Sequence, residues 1–262
     1  MSEAVELNFT TIGEGDPLIL IMGLGADGPV WEEHANEYQK HFKCYLIDNR
    51  GVGLSPKPQG SYTTDQMADD VAALMEKEGI SSAPVAGISM GGAIAQSLAL
   101  RHPEKVSRLV LIATWAKCSP YMKLVFEHFK PMRAHSKLED FMMLLQLWIW
   151  GPKYVAENED ALQEARYDMK GVELPQPRQG FEGQCDACTN HDTTGRLDQI
   201  KVPTLITAGD KDIFTPIEGA EYLKEHIDGS KLVVFEDCAH THHWEALERF
   251  NKVTTEFLLE GK

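Results

Sequence analysis

Gly87-Ile88-Ser89-Met90-Gly91 sets a serine between two glycines, with the apolar run Pro84 to Ile88 before it and Gly, Ala, Ile, Gln and Leu residues after it. A strand turning sharply into a helix at that serine would hold the hydroxyl at a sheet edge on strained backbone. The glycines would keep side chains out of the neighbouring strand and helix. A serine hydroxyl becomes a useful nucleophile only when a base removes its proton, and in this strand, elbow, helix arrangement the acid and the histidine follow later in the chain. The run Thr204 to Ala208 leads into Gly209-Asp210-Lys211-Asp212-Ile213-Phe214-Thr215-Pro216, so Asp210 and Asp212 lie just past a strand end. Further on, His240, His242 and His243 compete for the role of base; His240 is preferred, with the other two opening the last helix.

Acyl transfer places negative charge on the substrate carbonyl oxygen and calls for two preorganised N–H donors. Met90, the residue after the nucleophile, supplies one. Met22-Gly23-Leu24-Gly25, following the strand Leu18 to Met22, supplies the other from the Leu24 amide. The same glycines do not read as a dinucleotide fingerprint, because no G-x-G-x-x-G follows. The clustered histidines lack an H-E-x-x-H motif or a carboxylate-rich partner, so neither a metal nor a cofactor is expected. Cys185 and Cys188 form C-x-x-C with His191 close behind, but without finger-like spacing of further ligands they read as two small residues one helical turn apart.

The elements that must position these groups alternate. Buried strands are expected at Pro17 to Met22, Cys44 to Asp48, Pro84 to Ile88, Leu109 to Ala113, Thr204 to Ala208 and Leu232 to Phe235. Helical patterns lie at Thr64 to Lys77, Met90 to Arg101, Ile217 to His226 and His243 to Leu259. This order predicts an α/β class: a mostly parallel, doubly wound sheet with helices on both faces. Between Trp115 and Ile200 the alternation stops, and a segment rich in Met, Trp, Phe and Tyr takes its place. So long a connection must itself be folded. It is expected to form a helical cap over residues 116–200, divided by Pro120, Pro131, Gly151, Pro152, Pro175 and Pro177, with the core built from 1–115 and 201–262. The apolar stretch Phe141 to Trp150, interrupted by Gln146, reads as a buried or pocket-facing helix. Trp115, Met143, Leu147, Trp148, Trp150 and Phe214 are the candidate pocket walls.

Asp and Glu total 40 against 25 Lys and Arg, a formal charge of -15. Phosphate backbones and anionic headgroups would be repelled, so a small molecule is the expected partner, with neither nucleic acid nor membrane. The first residues carry no basic n-region and no apolar h-region, and the five cysteines are odd in number and irregularly spaced. Both features point to free thiols in the cytoplasm.

With these residues in place, the chain resembles the α/β-hydrolase superfamily over nearly its whole length. Asp48-Asn49-Arg50-Gly51-Val52-Gly53-Leu54-Ser55 is similar to the family's D-x-R-G-x-G-x-S turn, and Gly209, Asp212 and Pro216 to its G-x-x-D-x-x-x-P acid loop. His240 followed by Glu245 is similar to its H-x-x-x-x-E ending. The resemblance therefore selects Asp212 over Asp210 and His240 over its neighbours. Met22-Gly23 stands where the family commonly has His-Gly; the donor is a backbone amide, so its role should survive. The Met-Gly-Leu-Gly form resembles the branch of 3-oxoadipate enol-lactonases and aclacinomycin methylesterases. Dehalogenases and epoxide hydrolases of the same fold use Asp as nucleophile, and Ser89 argues against both. The resemblance implies cofactor-free cleavage of a carboxylic ester or lactone of a small, largely apolar substrate. Cofactor-free C–C bond hydrolysis or perhydrolysis by the same triad is the alternative, and a noncatalytic receptor on the same fold is a more remote one.

Overall fold

The computed structural model describes residues 4–168 and 176–261. Its centre is a seven-stranded sheet in the order β1-β3-β2-β4-β5-β6-β7. The strands are β1 (Phe9–Ile12), β2 (Pro17–Ile21), β3 (Lys43–Ile47), β4 (Ala83–Ile88), β5 (Val106–Ile112), β6 (Thr204–Gly209) and β7 (Lys231–Phe235). Each of β2 to β7 pairs in parallel with its neighbours, and β1 alone pairs antiparallel, on β3. The sheet is therefore the mostly parallel one that the apolar runs predict.

Successive residues of the inner strands serve opposite faces, as the period of two requires. Ile19, Ile21, Val85, Leu109, Leu111 and Ile206 pack on one side. Leu18, Leu20, Ala86, Ile88, Val110 and Leu205 pack on the other. Helices α1 (Glu32–Tyr38), α2 (Thr64–Lys77) and α3 (Met90–Arg101) follow the first strands. Thr63 opens α2 with a capping box in which its side chain accepts from the Gln66 amide while Gln66 reaches back to the Thr63 amide. Helices α2 and α3 cover the first face and α1 the second.

Between β5 and β6 run α4 (Pro120–His135), α5 (Leu138–Ile149), α6 (Pro152–Glu157), α7 (Glu159–Asp168) and α8 (Arg178–Asn190). Pro120 opens α4 behind Ser119, whose side chain accepts from the Met122 amide, and Gly151-Pro152 separates α5 from α6. Pro131, expected to divide this segment, lies inside α4 instead. A proline removes a single ladder hydrogen bond, and here the fully buried Phe126 and Phe129 before it and Met132 after it pack on the same core. Pro175 falls outside the described residues.

After β6 come α9 (Glu218–His226), β7, α10 (His242–Glu245) and α11 (Leu247–Leu259). One continuous helix from His243 was expected; the backbone instead breaks at Ala246 (φ -125°, ψ 47°), so the histidine loop has a short helix of its own. Two further elements escape the sequence pattern: β1, whose half-exposed residues show no alternation, and the seven-residue α1. Among the described residues no helix is long and apolar enough to cross a membrane.

Candidate active site

Ser89 sits between the end of β4 and the start of α3 with φ 55° and ψ -117°, a backbone conformation that costs an L-residue on the order of 1–3 kcal/mol. The surroundings enforce it. The Ser89 amide donates to the Ile112 carbonyl at 2.8 Å, and the Ser89 carbonyl accepts from Thr114 Oγ1 at 2.8 Å and the Gly92 amide at 2.9 Å. The glycine spacing has a steric cause. A Cβ on Gly87 would lie 2.2 Å from the Gly91 carbonyl oxygen, and one on Gly91 would lie 2.2 Å from that of Ile21. Strand, elbow and helix are in backbone contact, so any side chain at either position would force them apart.

Asp212 is held in the turn after β6 by its own loop. Its Oδ1 accepts from the amides of Phe214 and Thr215, both at 2.8 Å, and its Oδ2 accepts from Thr215 Oγ1 at 2.6 Å and from His240 Nδ1 at 2.8 Å. The carboxylate cannot turn away from the ring. Asp210, two residues earlier, bonds the adjacent Lys211 instead. The acid and histidine loops touch directly: the amides of Asp210 and Lys211 donate to the carbonyls of Phe235 and Cys238. A Cβ on Gly209 would come within 2.2 Å of the Ala239 carbonyl oxygen.

The three histidines after β7 turn to different partners. His240 meets Asp212; His242 Nε2 lies 2.9 Å from Thr207 Oγ1; His243 Nδ1 lies 3.0 Å from His34 Nε2. Burial holds His242 and His34 neutral, with pKa values pushed down to about 3 and about 4, and drives that of His243 well below its ordinary value. Among the described residues no group of three or more His, Cys, Asp or Glu is arranged to hold a metal ion. Cys185 and Cys188 lie in α8, where burial pushes both thiols well up.

Ser89, Asp212 and His240 thus gather at the carboxyl edges of β4, β6 and β7, each 5 or 6% exposed. The Ser89 hydroxyl makes no hydrogen bond to the His240 ring among the described residues, so the acid–histidine half of the constellation is closed and the serine half is open.

The loop after β2 lies against the serine: a Cβ on Gly23 would be 3.4 Å from that of Ser89. Asn49 Nδ2 anchors one end of this loop by donating to the Met22 carbonyl at 2.8 Å. At the other end the Gly25 amide donates to Gln184 Oε1 at 3.0 Å, while the Leu24 amide has no acceptor among the described residues. Met90, the first residue of α3, carries an amide that has no partner within its own helix. The loop that carries Leu24 and the first turn of α3 thus both adjoin the serine.

The segment between β5 and β6 supplies the apolar surroundings. Phe214 lies 4.9 Å from the His240 ring, 5.4 Å from Phe126, 5.7 Å from Phe129 and 6.5 Å from Trp148, with Phe141 and Phe181 extending the cluster. Of the expected pocket walls, Phe214 and Trp148 join this cluster. Trp115 is buried beneath it, between Phe126 and His191. Trp150 stacks on Tyr154 at 4.5 Å, away from Phe214. Met143 and Leu147 correct the expectation, because α5 turns that face outward and leaves them 51% and 68% exposed. The helix has one buried side, not an apolar surround; composition concealed the difference.

Three contributors were not marked as working groups by sequence. Thr215 bridges Asp212, His240 and the Ala113 carbonyl; its position within the acid loop was the available signal. Glu245 accepts from the amides of Ala239 and Gly151 and from Thr241 Oγ1, tying the histidine loop to the end of α5. Gln184, fully buried in α8, carried no motif at all.

A strained serine at a strand-to-helix elbow, an acid after β6 and a histidine after β7 define a class, and comparison with known proteins gives the same one. The chain belongs to the α/β-hydrolase family, whose model, described as the alpha/beta hydrolase fold, matches residues 16–247. It is 27% identical over 252 residues to 3-oxoadipate enol-lactonase 2 of Acinetobacter baylyi, covering 95% of this chain and 92% of that one. It is equally 27% identical over 252 residues to a RutD protein of Azorhizobium caulinodans named as a carbamate hydrolase, covering 96% and 94%. The crystal structure of the enol-lactonase from Burkholderia xenovorans LB400 superposes with a TM-score of 0.88 at 27% identity, covering 98% and 97%.

Proposed function

We propose that this chain cleaves a carboxylic ester or lactone of a small, largely apolar substrate through an acyl-enzyme on Ser89. The observation that carries the reading is the 2.8 Å contact between His240 Nδ1 and a fully buried Asp212 carboxylate, at the same sheet edge as the strained Ser89. With Nδ1–H committed to the carboxylate, His240 Nε2 is left as the base. It takes the Ser89 proton as Oγ attacks the carbonyl carbon, and the amides of Met90 and Leu24 receive the oxyanion. Collapse breaks the bond to the leaving alkoxide, which takes the proton from His240; in a lactone this oxygen stays tethered to the acyl group. Water, deprotonated by the same ring, then releases the acid and restores the serine. The cluster around Phe214 favours an apolar acyl or alcohol group, and the lactonase relatives support the bond type.

We further assign the protein to the cytoplasm, on its five free thiols, and to small molecules over nucleic acid or membranes, on its excess of acidic groups. A panel of short aryl esters, lactones, aryl carbamates and vinylogous diketones tests the function, alongside labelling by a serine-directed phosphonate. Ester or lactone turnover with label on Ser89, lost in Ser89→Ala, is expected. Turnover of the carbamate or diketone alone would replace the proposed bond, and label that persists in Ser89→Ala would overturn the mechanism.

A further inference from the structure

The loop carrying Leu24 is held at two points that belong to different parts of the fold. Asn49, at the end of β3, fixes the Met22 carbonyl from the sheet side. Gln184, in α8, fixes the Gly25 amide from the other side. Its carboxamide is engaged at both ends: Oε1 accepts from Gly25 N–H at 3.0 Å and from Gln176 Nε2 at 2.9 Å, and Nε2 donates to the Arg50 carbonyl at 2.9 Å. Gln176 donates in addition to the Gly51 carbonyl at 3.0 Å. Beside them, a Cβ on Gly180 would fall 2.2 Å from the Gly51 carbonyl oxygen, so α8 lies in backbone contact with the turn after β3. One buried side chain thus joins α8, that turn and the loop beside Ser89.

We infer that Gln184 is a positioning residue that sets the Leu24 amide for the developing oxyanion, so that this donor is in register only while α8 is docked. The inference rests on the acyl-enzyme reading above. Leu24 has one peptide plane anchored through Gly23 against Ser89 and the other through Gly25 to Gln184, which leaves its N–H little freedom to turn. Release of the Gly25 amide would free the second plane while Met90 and the acid–histidine pair stay untouched. Since binding of the carbonyl in the ground state draws less on this donor than the oxyanion does, the effect belongs to kcat more than to KM.

Two variants test it. Gln184→Met keeps the volume and removes every hydrogen bond; kcat should fall about 10- to 100-fold, with KM within about threefold, in a protein that still folds but melts several degrees lower because the Gly25 amide and the Arg50 carbonyl lose their partner. Gln184→Glu keeps an acceptor for the Gly25 amide, but when ionised it sets a carboxylate oxygen against the Arg50 carbonyl and is driven from its seat; protonation turns that oxygen into a donor to Arg50 and restores the pattern. Its kcat relative to the parent should rise as pH is lowered. A kcat for Gln184→Met within twofold of the parent would overturn the inference, as would a loss carried by KM. If the Met variant does not fold, a pH-independent ratio for Gln184→Glu overturns it instead. Phosphonate labelling separates the two readings: no label on parental Ser89 defeats the acyl-enzyme itself, whereas parental labelling with an equal rate in Gln184→Met defeats only the role of Gln184.

Discussion

Replacing Asp212 by Asn should reverse the proton arrangement of His240 without dismantling the site. The carboxylate accepts at both oxygens, but its two sides differ in what they can accommodate. The partners of Oδ1 are the backbone amides of Phe214 and Thr215, which cannot rotate into acceptors. An Asn carboxamide must therefore keep its oxygen on that side and direct its NH2 toward His240 Nδ1. Thr215 relieves the change locally: its hydroxyl can turn toward the Ala113 carbonyl, 3.2 Å away, and accept from the new NH2. The imidazole has no such freedom. It must accept at Nδ1 and carry its proton on Nε2, facing Ser89, where a base is required. The geometry survives while the tautomer is wrong, a defect that in a serine hydrolase costs about 10⁴ in kcat, or about 5 kcal/mol of barrier.

The assay is steady-state kcat on whichever aryl ester or lactone the parent turns over, with the phosphonate labelling rate as a substrate-independent companion and a thermal melt as the control for folding. Asp210→Asn provides the contrast, since Asp210 bonds a surface lysine and not the ring; its kcat should stay within about twofold of the parent. A folded Asp212→Asn protein retaining more than about a tenth of parental kcat would refute the claim that this carboxylate fixes the tautomer.

Gly87→Ala should destabilise the elbow by about 3 kcal/mol, because the new Cβ meets backbone at 2.2 Å; at about 2–4 °C per kcal/mol for a chain of this size, a melting point unchanged within 2 °C would contradict it. Glu245→Ala leaves the amides of Ala239 and Gly151 without their acceptor and should cost about 1–3 kcal/mol together with activity, with Glu245→Gln intermediate; equal urea midpoints for all three proteins would count against it. Acid should weaken the fold through its buried histidines. The folded pKa of His34 is depressed to about 4, so below pH 6.5 the unfolded chain binds a proton that the folded one refuses. Stability is intact above pH 6.5 and is lost as pH falls toward 4, on the order of 3 kcal/mol for His34 alone. Urea titrations between pH 7.5 and 4.5 should show this slope reduced in His34→Gln, and an identical slope in that variant would dismiss it.

What the sequence made legible follows from how local each constraint is. The elbow is readable because Gly87, Ser89 and Gly91 must coexist within five residues, the two glycines because a Cβ at either would meet backbone and the serine for its hydroxyl. The strands that carry the site are readable because both faces are covered, so β4 and β6 are buried throughout and largely apolar, with Thr204 and Thr207 the polar members of β6. By contrast, β1 lies at the edge with two of its four residues exposed and two half-buried, and its pairing depends on β3, 38 positions away in the pair Phe9 to Ile47 and 32 in Ile12 to Cys44. The outward turn of Met143 and Leu147 was illegible for another reason. An apolar helix of this composition could bury any side, and only packing of Phe141 against Phe129 and Phe181 chooses which. Gln184 shows the limit most clearly, since its partners Gly25 and Arg50 are 159 and 134 residues distant and a glutamine in a helix carries no pattern of its own.

These long-range bonds bear on how the helices between β5 and β6 act. A detachable lid would meet the core through apolar contacts alone, because polar bonds broken on opening would leave buried groups unpaired. Here polar bonds cross the boundary at both loops that matter. The Thr241 amide and hydroxyl both donate to the Ile149 carbonyl, at 3.1 and 2.8 Å, immediately beside His240, and Glu245 takes the Gly151 amide. On the other side, Gln184 takes the Gly25 amide beside Leu24. Wholesale lifting of α5 and α8 would therefore strip supports from the His240 loop and from the Leu24 loop together. Substrate entry through local movement of side chains such as Trp148 and Phe214 preserves both, and it predicts that substitutions there change KM for bulky substrates while leaving the phosphonate labelling rate of Ser89 nearly unaltered for a small probe. A labelling rate that falls in parallel with the bulky-substrate kcat/KM would show instead that these rings help to hold the site in shape.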